Sequence, residues 1–511
     1  MPKLWKNSIL ARKITNKNFL LHLLVLLFLV FSIVSLRNTS LIDWDEGVFA
    51  LQGSWLATGG AEGKPFNFQT PPFFQTLVAF FFKFLSPQDF VLPLLSILFS
   101  ILTIYTIFFL ARILYSRREA LYAVILFVTT EFFLFFSKSG LSDATFLFFF
   151  TASILFFVKG LQHNRLNFFL LAGLCTTLAL YTKYSALSLL IMFSIAGILY
   201  RKEIHKTWFI FSIILPVVLF SPYVYIFIKF VKISGVSARY MGLLNINHIP
   251  FFYYLIVFAP IPLLLSIVHT ICSFKKYEKW DVLIILFFCV YFIILGFYHH
   301  YFRLAYPLIP LISIIASRFI NQTGKYKHYI LIGSVVIALL LSLRTVCYYS
   351  LVPEKLGTFV NDYVKKEHIR YVYTLVPPNI SFSIKGKIVI PSDHPWARSG
   401  KKFPHLYKNT KIIYEDNNEL RSEDEVLLLH ATLFDSLKQK HEPLYDRGEL
   451  VTSIEFIDAP VYYKDIYNPL KDVKQIYELY VFERDAVGNK IDELWKLGFD
   501  PRVTVIRTPP E

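Results

Sequence analysis

Apolar residues along this chain fall in long, nearly unbroken runs, not in the strict alternation of half-buried strands. The runs cover residues 19–36, 88–111, 120–137, 142–158, 166–182, 184–200, 207–228, 250–273, 281–297, 304–320 and 329–349. A bilayer crossing takes roughly 20 apolar residues in a helix, so the pattern predicts eleven membrane-spanning helices within residues 1–350. Lys3, Lys6, Arg12, Lys13 and Lys17 precede the first run, and no small-x-small cleavage site follows it. It therefore reads as an uncleaved first span with its N-terminus in the cytoplasm.

Two stretches break the pattern. Residues 37–87, the first outer loop, are too long for a turn and too apolar for an unstructured loop. Trp44, Val48, Leu51 and Trp55 recur at three- or four-residue spacing, which predicts an amphipathic helix in the membrane interface, stopped by "TGG" at 58–60. A second interfacial helix is predicted after "NFQTPPFF", with Thr70 as cap and Pro71 and Pro72 in the first turn. The other departure is the tail, residues 351–511. There β-like runs ("IRYVYTLV", "KIVIP", "KIIYED", "EVLLLHATLF", "LVTSIEF", "YELYVFERD") alternate with polar stretches, and "TLFDSLKQKH" suggests a short helix. The fold class is thus an α-helical polytopic membrane protein of about eleven transmembrane helices, 1–350, followed by a C-terminal α/β or α+β extracytoplasmic domain, 351–511.

Charge supports this arrangement. Every predicted inner loop is basic (Arg112, Arg117 and Arg118; Lys159 and Arg165; Arg201, Lys202 and Lys206; Lys275, Lys276 and Lys279; Arg318, Lys325 and Lys327), as the positive-inside rule requires. With 55% hydrophobic and only 17% charged residues, the composition is that of a membrane protein. The net charge of +16 resides largely in those short loops, so it reports topology and not nucleic-acid binding. Cys175, Cys272, Cys289 and Cys347 lie in or beside apolar runs and form no disulfide or metal pattern.

Candidate chemistry gathers at the outer side. "SLIDWDEGVFA", residues 40–50, concentrates Asp43, Asp45 and Glu46 just past the first span. Asp43-x-x-Glu46 fits a capping box, with early acids favoured by the helix dipole. A cap does not require Asp45, which is costly beside lipid unless partnered. Asp43-x-Asp45 also resembles the pair with which soluble sugar transferases hold a metal; these two would carry a divalent ion if one takes part, and no other cofactor is expected. Lys138, Ser142 and Asp143, then Tyr181, Thr182 and Lys183, then Arg239 and Tyr240, then His299, His300 and Arg303 recur at the same outer level. Taken singly, each cation reads as an anchor at the membrane surface. Together, facing an acid cluster, they suggest an interfacial cavity with cations for a phosphate and carboxylates for proton transfer. Glu131, about 10 Å deeper at 1.5 Å per residue, has no assigned role. "IPSDHPW" reads as a Pro-rich turn.

These positions carry a resemblance. "DWDEGVFALQGSWLATGG…FNFQTPPFFQ", "SGLSDATF", "LYTKYSAL" and "HHYFRLAYPLIPLIS", in that order across residues 40–315, resemble motifs of the GT-C superfamily of lipid-linked-sugar glycosyltransferases. The similar branch is that of the protein O-mannosyltransferases and the lipid A aminoarabinose transferase. The resemblance implies transfer of a sugar from a polyprenyl-phosphate donor to a hydroxyl of a lipid, glycan or protein acceptor, with inversion, outside the cytoplasmic membrane. Asp45 becomes the candidate catalytic base, Glu46 its motif partner and Asp143 the second loop acid. Lys183, Arg239, His299, His300 and Arg303 become candidates for the donor phosphate. One departure stands out: aminoarabinose transferases have Glu-Lys-Pro before the second interfacial helix, where this chain has Gln69-Thr70-Pro71. A lipid-linked-sugar transporter or flippase is the alternative from another class, since it would use the same charges as a substrate path. A ligase using diphosphate carriers and a catalytically silent scaffold are further alternatives.

Overall fold

The structure, a computed structural model, describes residues 18–36, 41, 44–61, 70–202, 205–234, 247–274, 277–297, 301–346, 352–366, 371–374, 382–383, 387–390, 412–414, 425–431, 449–457 and 474–483. Each predicted apolar run coincides with helix. In chain order these are α1 (Phe19–Leu36), α2 (Trp44–Ala57), α3 (Phe73–Leu85), α4 (Val91–Leu114), α5 (Arg117–Val128), α6 (Glu131–Phe136), α7 (Asp143–His163) and α8 (Leu166–Leu180). Then follow α9 (Leu187–Leu199), α10 (Lys206–Ser234), α11 (Ile249–Phe258), α12 (Pro260–Cys272), α13 (Lys279–Leu295), α14 (Leu308–Gln322), α15 (Lys327–Val346) and α16 (Val352–Lys366). Among the described residues, four helices are long and apolar enough to cross a membrane, and a bent pair can supply a fifth span. The predicted number of eleven is larger because several runs are short or broken helices: 15 residues, as in α8, rise about 22 Å against a hydrocarbon core of about 30 Å.

Two breaks have identifiable causes. The run 120–137 divides at Thr129 and Thr130, whose hydroxyls turn back onto the carbonyls of Ile125 (3.0 Å) and Phe127 (2.7 Å). Thr130 then adopts an extended conformation and caps α6 by accepting the N–H of Phe133. The run 250–273 bends by 112° between α11 and α12. Pro260 and Pro262 supply no backbone N–H to the preceding turn, and Ala259, before the first of them, leaves the helical region (φ −146°, ψ 46°). A carboxylate, Glu131, and both breaks line one small pocket with Ser342 of α15.

The first outer loop forms both predicted helices, with different surroundings. Beyond Asp45, α2 is buried around most of its circumference, so protein covers more of it than the single apolar face its spacing suggested. It ends where predicted, with Gly59 and Gly60 at φ 63° and 96°, a conformation costly for residues with a Cβ. α3 is the amphipathic one: Phe74, Gln75, Val78, Ala79 and Phe82 are buried, while Phe80 and Phe84 point outward. Its cap differs from prediction. Pro72 precedes the helix without a side-chain cap, and Thr70 instead accepts a hydrogen bond from Gln75 Nε2 at 2.9 Å.

Packing sets two ends of the bundle. The hydroxyl of Ser96, early in α4, donates to Leu141 O (3.3 Å), just before α7, while Gln162 near the end of α7 donates to Ile113 O (3.0 Å), near the end of α4. The start of α7 therefore shares one end with the start of α4. At the opposite end Arg318 of α14 bridges Glu119 of α5 (3.0 Å) and Glu278, and Asp281 of α13 accepts the hydroxyl of Tyr115 (2.6 Å). Buried aromatic stacks fill the space between, including Phe157 on Phe193 (4.1 Å) and Phe136 on Tyr306 (4.8 Å).

In the tail, all six β-like runs contain strands: β1 (Tyr371–Thr374), β2 (Lys387–Ile390), β3 (Ile412–Tyr414), β4 (Glu425–Ala431), β5 (Glu449–Ile457) and β6 (Lys474–Glu483). They form one sheet in the order β3-β2-β1-β4-β6-β5, parallel from β3 to β4 and antiparallel through β6 and β5. The segment 382–383 fastens to the helical part: Phe382 stacks on Phe82 of α3 (5.9 Å), and Asn361 of α16 donates to Ser383 O (2.9 Å). "TLFDSLKQKH" lies outside the described residues.

Candidate active site

At the end of the bundle where α7 begins, four chain segments converge. The first is the opening turn of α2, which carries Asp45 and Glu46. Carboxylates in that turn are favoured by the helix dipole. The second is the turn before α7. Its Gly140 donates its N–H to Glu46 Oε1 at 2.5 Å, across 94 residues of sequence. Glu46 is 2% exposed, so this bond seats the first loop on the second. A Cβ at Gly140 would meet Leu92 Cβ at 2.7 Å, so the close approach requires glycine. Asp43, the other member of the predicted capping box, lies outside the described residues.

The third segment is "LYTKYS". α8 ends at Leu180, and Lys183 takes an extended conformation (φ −151°, ψ 138°) before a 3-10 turn, Tyr184–Ala186. That kink swings the lysine off the helix axis. Its Nζ lies 2.6 Å from Asp143 Oδ1, at the first residue of α7, with the two side chains only 15% and 2% exposed. The other carboxylate oxygen of Asp143 is buried without a hydrogen-bond partner among the described residues. The fourth segment is the 3-10 turn Phe302–Ala305, which presents Arg303 to Asp45 in an ion pair bridging 258 positions.

Electrostatics joins the two pairs. Lys183 stands outside the helical spans, and burial pulls it below the ordinary lysine range. Asp143 opposes that pull, Arg303 adds to it, and Asp45 opposes it again. The lysine thus senses all three other groups, and Asp45, Asp143, Lys183 and Arg303 form one field of two carboxylates and two cations. Lys183 also lies 6.0 Å from the ring centre of Phe146, and Arg303 5.6 Å from that of Tyr301.

Tyr181 apart, sequence reasoning passed over the aromatic wall beside this field. Tyr223 of α10 donates to Thr70 O (2.8 Å) and shares a 3.3 Å hydroxyl contact with Tyr184. Tyr181 accepts the N–H of Phe73, the first residue of α3, at 2.9 Å. The Thr70–Phe73 turn, standing where aminoarabinose transferases carry Glu-Lys-Pro, is therefore pinned by α8 and α10 through neutral groups. A usable signal was the recurrence of Phe220, Tyr223 and Phe227 at helical spacing.

Of the predicted residues, Asp45, Glu46, Asp143, Lys183 and Arg303 meet here, and Lys138 is buried in the same outer turn. Arg239, His299 and His300 lie outside the described residues. No three His, Cys, Asp or Glu side chains gather as a metal site among the described residues. Asp45 and Asp143 are each engaged by a cation. The candidate metal pair, Asp43 and Asp45, includes a residue outside the described ones, and the reaction proposed here uses no metal ion.

Comparison with known proteins bears on the fold. Residues 69–226 match the family model described as dolichyl-phosphate-mannose-protein mannosyltransferase. No curated protein matches the sequence. Among solved structures, ArnT from Cupriavidus metallidurans in the apo state superposes with a TM-score of 0.63 at 14% identity, over 92% of this chain and 98% of that one. The same protein bound to undecaprenyl phosphate gives 0.62 at 12% identity, over 91% and 98%. The fold is thus shared along nearly the whole length at very low identity. This chain has the helical, membrane-type fold of ArnT and, over residues 69–226, resembles the dolichyl-phosphate-mannose-protein mannosyltransferases.

Proposed function

We propose that this protein is an integral-membrane glycosyltransferase that moves one sugar from a polyprenyl-phosphate donor to a hydroxyl on a lipid, glycan or protein acceptor. The observation that carries the reading is the convergence of Asp45, Asp143, Lys183 and Arg303 from four distant segments at one end of an apolar bundle. A donor with an isoprenoid tail needs its reacting carbon at the lipid boundary. ArnT, with the same fold, has been captured with undecaprenyl phosphate.

In the proposed reaction the acceptor oxygen attacks the anomeric carbon from the side opposite the phosphate. As that bond forms, the bond from carbon to phosphate oxygen breaks and its electron pair leaves with the phosphate. Asp45, the more accessible carboxylate, takes the acceptor proton, a contribution of typically about 10²–10⁴-fold. The leaving phosphate gains one negative charge, which Lys183 and Arg303 stabilise. Asp143 holds Lys183 in place. The chemistry inverts the anomeric centre because a single displacement occurs.

In this reading the N-terminus lies in the cytoplasm, the site faces the outer side of the cytoplasmic membrane, and residues 351–511 form an extracytoplasmic domain beside it. The first outer loop is part of the catalytic unit within 1–350. Asp45→Asn tests the assignment: transfer from a polyprenyl-phosphate sugar should fall at least about 10²-fold with protein level and membrane insertion unchanged. Normal transfer by that variant would place the base elsewhere.

A second reading, a transporter of the lipid-linked sugar, draws on the bend between α11 and α12 beside Glu131, since broken helices around an intramembrane acid are a feature of transporters. Vesicles loaded with labelled donor distinguish the two. A transporter moves donor across the bilayer without acceptor, whereas a transferase consumes it only with acceptor.

A further inference from the structure

Asp45 and Asp143 are held differently, and the difference has a consequence for catalysis. Lys183 and Asp143 are sunk in the protein, while the partners of the other pair are 24% (Arg303) and 34% (Asp45) exposed. Each of these two carboxylates is engaged by a cation. A phosphodiester entering the cluster adds a negative charge that competes with these carboxylates for their cations. Arg303 is the cation whose existing pair is the more accessible. Its planar fork accepts a carboxylate or a phosphate with equal geometry.

Building on the proposed function, we infer that the donor phosphate and Asp45 compete for the guanidinium of Arg303, and that donor binding thereby makes the base available. While Arg303 donates to Asp45 Oδ2, the lone pairs of that oxygen point at the guanidinium and not at an acceptor hydroxyl. When the phosphate takes the guanidinium, Oδ2 is released to accept the proton. No bond is made or broken in this exchange, only hydrogen bonds. It also orders the reaction: the base becomes competent after the sugar donor is in place, which disfavours activation of water at an otherwise unfilled site.

The inference predicts that removing the catalytic base strengthens binding of the phosphate. Purified full-length protein in lipid nanodiscs is titrated calorimetrically with farnesyl phosphate, for wild type, Asp45→Asn, Arg303→Ala and the double variant. Asp45→Asn should bind about two- to fivefold tighter, the range expected for dissolving a partly exposed ion pair. Arg303→Ala should bind more weakly, and adding Asp45→Asn to it should bring no further gain, because the two residues act through one contact. A gain that persists without Arg303 would reduce Asp45 to a general repulsive charge and overturn the exchange. Unchanged or weaker binding by Asp45→Asn overturns it as well. Asp45→Ser replaces Asp45→Asn if that variant does not insert. If wild type fails to bind the phosphate while remaining monodisperse, the phosphate-site reading itself fails, a result distinct from binding without competition.

Discussion

Asp143 and Lys183, forty positions apart in sequence, meet at 2.6 Å in a buried ion pair at the mouth of the bundle. The pair joins the first residue of α7 to the kink after α8, and those helices also share the Ser153–Thr176 hydroxyl contact (2.5 Å) farther along. Burying such a pair carries a desolvation cost, and removing one partner leaves the other charge uncompensated.

Single and double substitutions should therefore diverge. Lys183→Met and Asp143→Leu should each lower thermal stability in detergent by an amount equivalent to about 3–5 kcal/mol. The double variant should recover most of that loss, since two apolar side chains replace a desolvated pair. Donor consumption should stay lost in all three. Recovery of stability together with activity would remove the pair from the chemistry.

Donor binding should show an alkaline limit set by Lys183. The lysine holds phosphate only when protonated, and burial places its titration below the ordinary value. As pH rises through that lowered value the charge is lost, so phosphate affinity should fall at a pH below the roughly 10.4 of a solvated lysine. Lys183→Arg, which keeps its proton throughout, should abolish the limit. An unchanged limit in the arginine variant assigns it to another group.

Glu46 separates a seating role from a chemical one. Its Oε1 accepts the Gly140 N–H, and a glutamine supplies the same acceptor. Glu46→Gln should retain most activity, whereas Glu46→Ala should lose about tenfold or more in kcat with KM for donor nearly unchanged, because Asp45, one residue earlier, loses its register. Equal loss in both variants would make Glu46 a proton-transfer group.

At the opposite end, Arg318 ties Glu119 of α5 to Glu278 before α13. Arg318→Met strands a buried Glu119 and should destabilise the protein by about 3–5 kcal/mol. Phosphate affinity measured below the new melting temperature should remain that of wild type. A matching loss of affinity would mean that the two ends are coupled.

The helices and first-loop acids were legible in the sequence because both are one-dimensional signals: apolar runs have a length, and Asp43, Asp45 and Glu46 crowd four positions. That the outer loops meet followed from their common level, but which side chains pair is not a one-dimensional signal. Asp45 with Arg303 and Glu46 with Gly140 are long-range facts of packing, which spacing along the chain does not show. The helix breaks were half visible. Pro260 and Pro262 stood in the run 250–273, but hydropathy passes over a proline between apolar neighbours. At Thr129 and Thr130 the break depends on hydroxyls choosing carbonyl partners, which composition does not show. The extent of burial of α2 was not legible for a related reason: three- and four-residue spacing reports one apolar face, while Gln52 and Ser54, polar in sequence, are buried too.

The whole account rests on a sugar leaving a lipid carrier at this cluster. Mass spectrometry of envelope lipids, glycans and proteins from cells carrying wild-type protein or Asp45→Asn measures that event directly. The account predicts that one class of molecule in the variant is lighter by a single sugar residue, with the carrier-linked sugar accumulating. Identical profiles from cells that express both proteins equally would contradict it.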